Sequence, residues 1–194
     1  MIKTMPRGWS IIFVFMVIGF VLTLQAKQPT KIALPISTKP EITDDELKLQ
    51  ACLLPLEGPG IIIKMDDSNK LASSGENPNL YLIHDDDLLR VINELRAAGA
   101  EAISINGQRL IDTSEIRCAG PTLSVNNVRS SAPFEIHAIG EKNTLEKAIK
   151  MRGGVEDTLK VWGIQLEVET SDSVYIPPYK GEHSHVYAKI VSEK

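Results

Sequence analysis

Cysteine is almost missing from this chain of 194 residues; Cys52 and Cys118 are the two it has. Two cysteines cannot staple a disulfide framework. Cys52 lies ahead of the folded region and Cys118 well inside it, so both read as small buried hydrophobes. Histidine is also scarce, with His84, His137, His183 and His185. Only His183-x-His185 has a spacing that a metal could use, and a solvated tail explains that pair without one. No Gly-x-Ser-x-Gly elbow, Walker loop or Rossmann glycine pattern occurs. The 21 basic and 25 acidic residues are interspersed and sum to −4. No basic stripe with interleaved aromatics forms, so nucleic acid is not an expected partner. From these absences we expect no catalytic residue, no metal and no cofactor.

One long hydrophobic run stands out. Ile11 to Ala26 carries no charge, Trp9 precedes it, and Lys3 and Arg7 lie ahead. As a helix, Trp9 to Ala26 would rise about 27 Å, near the roughly 30 Å of a hydrocarbon core. The positive flank keeps the N-terminus in the cytoplasm and exports the rest. Residues 1–26 are therefore expected to be a cytoplasmic tip and a single transmembrane anchor. A cleaved signal peptide is the rival reading, but Leu24 is bulky for a cleavage site at Leu24-Gln25-Ala26. A buried core helix would show a polar face.

Residues 27–56 read as a linker with one short helix. Pro29, Pro35 and Pro40 break any periodicity, and Thr43-Asp44-Asp45-Glu46 has capping-box spacing for a helix from Asp44 to Leu54. The domain proper is expected over 57–194. Gly58-Pro59-Gly60 signals a turn, and Ile61 to Met65 a buried strand. Ser68 to Asn79 is loop. Asp85-Asp86-Asp87 then opens an amphipathic helix, with Leu88, Leu89, Val91, Ile92, Leu95 and Ala98 on one face and Gly99 ending it. Ala102 to Ile105 and Arg109 to Ile111 flank Asn106-Gly107, a hairpin signal that should aim Gln108 and Arg109 at the surface. Further strands are expected at Pro121–Val125, Phe134–Ile139, Ile164–Val168 and Val174–Ile176, with an edge at His185–Ile190. A helix capped by Asn143 or Thr144 is followed by another at Val155–Trp162. This order predicts an α+β fold, a ferredoxin-like antiparallel or mixed sheet with helices on one face, following the single N-terminal transmembrane helix.

Several stretches carry a resemblance. They are Asn93 to Gly107 with the following Gln108-Arg109-Leu110, then Ile116 to Thr122, Val125 to Arg129 and Ile139-Gly140. Gly58-Pro59-Gly60, Asp66-Asp67-Ser68, Ile176 to Gly181 and Tyr187-Ala188-Lys189 frame them. From Glu57 to Val191 the chain resembles the YlxW/YlxX-like family, bacterial domain of unknown function 881, found mostly in Gram-positive bacteria. The resemblance implies a ferredoxin-like fold, a membrane anchor and genes near those of cell division, with no established activity. Many members place a long coiled coil between anchor and domain. This chain has only the segment Asp44 to Leu54 there, so the resemblance does not extend to coiled-coil dimerisation.

Two polar groupings are candidates for chemistry. Asp66-Asp67 and Asp85-Asp86-Asp87 could hold a divalent cation, as carboxylates near the first strand do in nucleotidyl cyclases. Helix capping and a loop start account for both without metal. Asn106, Gln108, Arg109, Arg117, Asn126, Asn127 and Arg129 lie in or beside turns, and arginine offers fixed bidentate donors for a carboxylate or phosphate. We expect Arg109, Arg117 and Arg129 to share one surface; the plain alternative is satisfied turns and solvated arginines. The expected function is a non-enzymatic extracytoplasmic interaction module of the envelope. It is held to the membrane by its anchor and has a protein partner there. A small anionic-ligand sensor or a degenerate nucleotide-cyclase-like enzyme is the alternative.

Overall fold

The computed structural model describes residues 43–70 and 74–181, together with Met16, residues 187–189 and Val191. The expected membrane span apart from Met16, the proline-bearing stretch, and residues 185, 186 and 190 of the expected edge lie outside the described residues; residues 187–189 of that edge are not strand. Among the described residues no helix is long and apolar enough to cross a membrane.

Four α-helices are described: α1 (Asp44–Gln50), α2 (Asp85–Ala97), α3 (Lys142–Ile149) and α4 (Val155–Trp162). Eight strands accompany them: β1 (Leu56–Asp66), β2 (Ala102–Ile105), β3 (Gln108–Arg109), β4 (Ile116–Ala119), β5 (Thr122–Val125), β6 (Val128–Ser130), β7 (Phe134–Ile139) and β8 (Gln165–Ile176). A five-stranded sheet has the order β3-β2-β7-β1-β8, and a three-stranded sheet the order β4-β5-β6. Every pairing is antiparallel. The fold is α+β.

Period-2 alternation decides which face of the large sheet is dry. Ile61, Ile63 and Met65 of β1, Ile103 and Ile105 of β2, and Phe134, Ile136 and Ala138 of β7 join one core cluster. Leu88, Val91, Ile92 and Leu95 of α2 enter the same cluster, as do Leu145 and Ile149 of α3 and Val155 and Leu159 of α4. Leu123 and Val125 fasten the small sheet to it through β5. Leu89, expected on the α2 core face, is 39% exposed. Four residues per three turns suffice to bury that helix, and Leu89 falls at the margin of the stripe.

Local chemistry sets the element ends. Thr43 caps α1 through the predicted box: the Glu46 N–H donates to Thr43 Oγ1 and the Thr43 N–H to Glu46 Oε2, both 3.2 Å. The helix stops at Gln50 rather than Leu54. Cys52 takes a left-handed φ of 59°, and its carbonyl accepts the Tyr179 N–H at 2.8 Å. Gly58-Pro59-Gly60 is not the turn its composition predicts. It lies within β1, where the register against β8 shifts between Gly58 and Gly60; proline is tolerated at such an irregularity. A Cβ on Gly60 would sit 2.0 Å from the Ala138 carbonyl oxygen, so glycine lets β1 and β7 approach. The two strands expected at the C-terminal end are one 12-residue strand, β8, because β1 runs beside it as far as Leu56. The hairpin at Asn106-Gly107 does form, with φ of 47° and 74°, the backbone of a type I′ turn.

Candidate functional site

The small sheet was only partly foreseen. Its β4 and β6 are not among the strands expected from sequence, because neither buries enough to show alternation. Two tight turns make the sheet. Gly120, at φ 72°, starts the one into β5, and Asn126 and Asn127, at φ 51° and 62°, make the one into β6; all suit two-residue hairpins.

Those turns place Arg117 opposite Ser124, and Ser124 opposite Arg129. Three residues abreast on one sheet point to the same face, so the arginines flank a serine that is 3% exposed. Two strand spacings put their Cα atoms about 10 Å apart. Both arginines are exposed, and among the described residues neither forms an ion pair. With Cys118, Ala119 and Asn127 they border a shallow depression of about 370 Å³. Cys118 is exposed on this rim, a correction to its reading as a buried hydrophobe. Cys52, also free, is half-buried.

Arg109 does not join them. The hairpin was expected to turn it outward; instead it is 4% exposed, opposite Ser104 in the five-stranded sheet. The segment around Cys52 covers it, with Nη2 at 3.9 Å from Cys52 Sγ. Gln108 is half-buried opposite Ile105. Asn106 and Asn126 satisfy backbone: Asn106 Oδ1 accepts the Glu135 N–H at 2.7 Å, and Asn126 Nδ2 donates to the Arg109 carbonyl at 2.8 Å. The second bond ties the two sheets together. Thus Arg117, Arg129 and Asn127 share a surface, while Asn106, Gln108, Arg109 and Asn126 serve elsewhere.

The acidic groups have structural partners. Asp67 Oδ1 accepts the Ile83 N–H at 2.8 Å, and Asp87 Oδ2 the His84 N–H at 2.9 Å. Asp85 Oδ2 accepts the Cys118 N–H at 3.0 Å, which joins α2 to β4 and holds the carboxyl below its ordinary pKa. Asp86 pairs with Arg90 at 3.4 Å. Among the described residues no group of three or more His, Cys, Asp or Glu is placed to hold a metal.

One constellation went unnoticed in the sequence. On the face of the large sheet away from the helices, His137 Nδ1–H donates to the Tyr175 carbonyl at 3.1 Å, and Nε2 lies 2.5 Å from Glu135 Oε1. Lys64, Ser104 and Tyr175 share the surrounding cavity of about 470 Å³. The signal was present as x-Glu-x-His-x alternation in β7, but nothing in sequence says which face stays open.

Comparison with known proteins places this architecture. The UPF0749 protein YlxW of Bacillus subtilis (strain 168) is 35% identical over 123 residues, covering 63% of this chain and 53% of that protein. The UPF0749 protein Rv1825 of Mycobacterium tuberculosis (strain ATCC 25618 / H37Rv) is 35% identical over 139 residues, or 69% of this chain and 44% of its own length. The chain thus spans about half the length of these curated relatives. The crystal structure of an uncharacterized conserved protein from Mycobacterium tuberculosis superposes with a TM-score of 0.60 at 31% identity, covering 75% of this chain and 96% of that one. The profile of the family described as "Bacterial protein of unknown function (DUF881)" matches residues 43–189, and the chain belongs to that family.

Proposed function

We propose that this protein is a non-enzymatic interaction module of the bacterial envelope, carried on an N-terminal anchor and binding an acidic segment of a protein partner. The observation that carries the reading is the Arg117–Ser124–Arg129 row. Two exposed guanidiniums with no ion-pair partner among the described residues repel one another modestly, and an acidic strand laid across them would relieve that. Their Cα atoms stand about 10 Å apart, and side chains of this length can close that gap to meet carboxylates on alternate residues of an extended peptide, which lie about 7 Å apart. The extracytoplasmic position rests on Lys3 and Arg7 ahead of the apolar run. A place beside the division machinery rests on family resemblance alone. We also read the large sheet as ferredoxin-like: without β3, its order β2-β7-β1-β8 and its helix placement fit a split β-α-β pattern.

Crosslinking in intact membranes followed by pull-down tests the binding. The double variant Arg117→Ala/Arg129→Ala should lose a crosslinked partner that the native chain retains. Equal capture by both chains would refute the site. Protease added to intact protoplasts should remove the domain; protection would refute the topology, and a mature N-terminus near Lys27 would refute retention of the anchor.

A further inference from the structure

Arg117 and Arg129 put unmatched positive charge on the small sheet, and the same chain carries an unmatched acidic row elsewhere. Glu167 and Glu169 are alternate residues of β8, the outermost strand of the five-stranded sheet. Alternation turns both to one face, the one away from the helices, because their register partners in β1 are Lys64 and Ile62. Both are exposed, and among the described residues neither carboxylate has an ion-pair or hydrogen-bond partner. Lys64 stands between Glu167 and Glu135 in the register and pairs with neither among the described residues. One lysine cannot match both glutamates of β8. Other surface acids are already engaged. Glu146 and Glu156 pair with lysines one helical turn on, at 2.6 and 2.7 Å, and Asp172 pairs with Lys142.

The arginine row has no acid of its own to draw on. Glu115 and Asp85 reach the small sheet, but each accepts a backbone N–H there, from Asn127 and Cys118. We propose that the partner of the arginine row is a second copy of this chain, which lays Glu167 and Glu169 of its β8 across Arg117 and Arg129. The inference rests on the reading of that row as a surface for an acidic extended segment, and it names the segment. The two carboxylates already stand on a paired strand, about 7 Å apart, so binding need not order them. In a twofold pair each copy gives its arginines to one contact and its glutamates to the other. Repulsion within each row is relieved twice. Such contacts are weak and screened by salt, which suits chains held in one membrane, where confinement raises their effective concentration.

Co-purification of two differently tagged full-length chains, produced together and solubilised at low salt, tests this. Native chains should capture one another, and less so as salt rises. Arg117→Glu/Arg129→Glu should lower self-capture at least tenfold, and so should Glu167→Lys/Glu169→Lys, because each sets like charges against each other. The two variants produced together should recover capture, since both contacts then again oppose acid and base; recovery also shows that both variants fold. Native chains that do not associate, self-capture that persists in either variant, or a mixture that does not recover overturns the proposal. A native chain that ignores its own copies, yet captures another protein that Arg117→Ala/Arg129→Ala loses, would sink this inference and leave the reading of the row standing. If that double variant loses no partner of either kind, both fall together.

Discussion

Arg109 and Arg117 are separated by one short stretch of chain, yet one guanidinium is 4% exposed and the other stands in solvent. The difference lies in what covers each sheet. The chain at Cys52, held by the Tyr179 N–H, closes over β3, whereas Arg117 and Arg129 border an open depression. Covered charge must be matched at close range and is costly to disturb. Exposed charge is cheap to keep and free to recognise something else. The five-stranded sheet therefore holds the domain together, and the three-stranded sheet presents residues outward.

That contrast breaks first if the large sheet tolerates insult. Gly60→Ala should destabilise the domain most, by about 4 kcal/mol or more. The added Cβ would meet the Ala138 carbonyl oxygen at 2.0 Å, and backbone cannot step aside as a flexible side chain can. Urea denaturation measures it; a loss below about 1 kcal/mol would mean β1 and β7 are not so tightly paired. Leu95→Ala comes next. Leu95 is fully buried where α2 meets the sheet, and its truncation should cost about 2–5 kcal/mol. A loss below about 1 kcal/mol would show that this face is not core.

The small sheet should answer differently. Arg117→Ala removes an exposed side chain with no ion-pair partner among the described residues, so stability should change by no more than about 0.5 kcal/mol. Partner capture should fall sharply in the same variant. A large loss of stability instead would place Arg117 in a structural network and end its reading as a recognition residue.

What could be read from sequence follows the same division. The α2 core face, β7 and α4 were legible because each buries one side against the helix–sheet core, and burial imposes a period. The bounds Phe134–Ile139 and Val155–Trp162 are those observed. Gly58-Pro59-Gly60 reads as a turn because its strand character is supplied by β8, more than a hundred positions away. The strands β4 and β6 carried no period because they are half exposed. For the candidate site, the residue types were visible and the geometry was not. Arg117 and Arg129 become neighbours only through Ser124, and Arg109 is buried by a cysteine 57 positions earlier.

The smallest effect sharpens the comparison at the helix caps, where burial again decides. Asp87 at α2 is half-buried, and burial lifts its pKa despite the His84 N–H it accepts. Glu141 at α3 is fully exposed, yet its pKa falls from the ordinary 4.5 to about 2. The cause is, first, the Thr144 hydroxyl at 2.6 Å, then the backbone N–H groups of Asn143 and Thr144. A carboxyl with a lowered folded-state pKa stabilises above its unfolded pKa and loses that contribution as pH falls through the folded one. Glu141 should therefore support α3 above pH 4.5 and lose this support between pH 4.5 and about 2. Asp87 should act with the opposite sign, because acid relieves the cost of burying its charge. Denaturation at pH 6 and near pH 2 would compare the native chain with Glu141→Gln and Asp87→Asn. The Glu141→Gln deficit should be present at pH 6 and shrink in acid. The Asp87→Asn difference should shift the other way, with the native chain gaining on the variant as the pH falls. Parallel pH profiles for the native chain and Glu141→Gln would show that the capping bonds do not depend on charge, and the distinction between the exposed and the buried cap would fall.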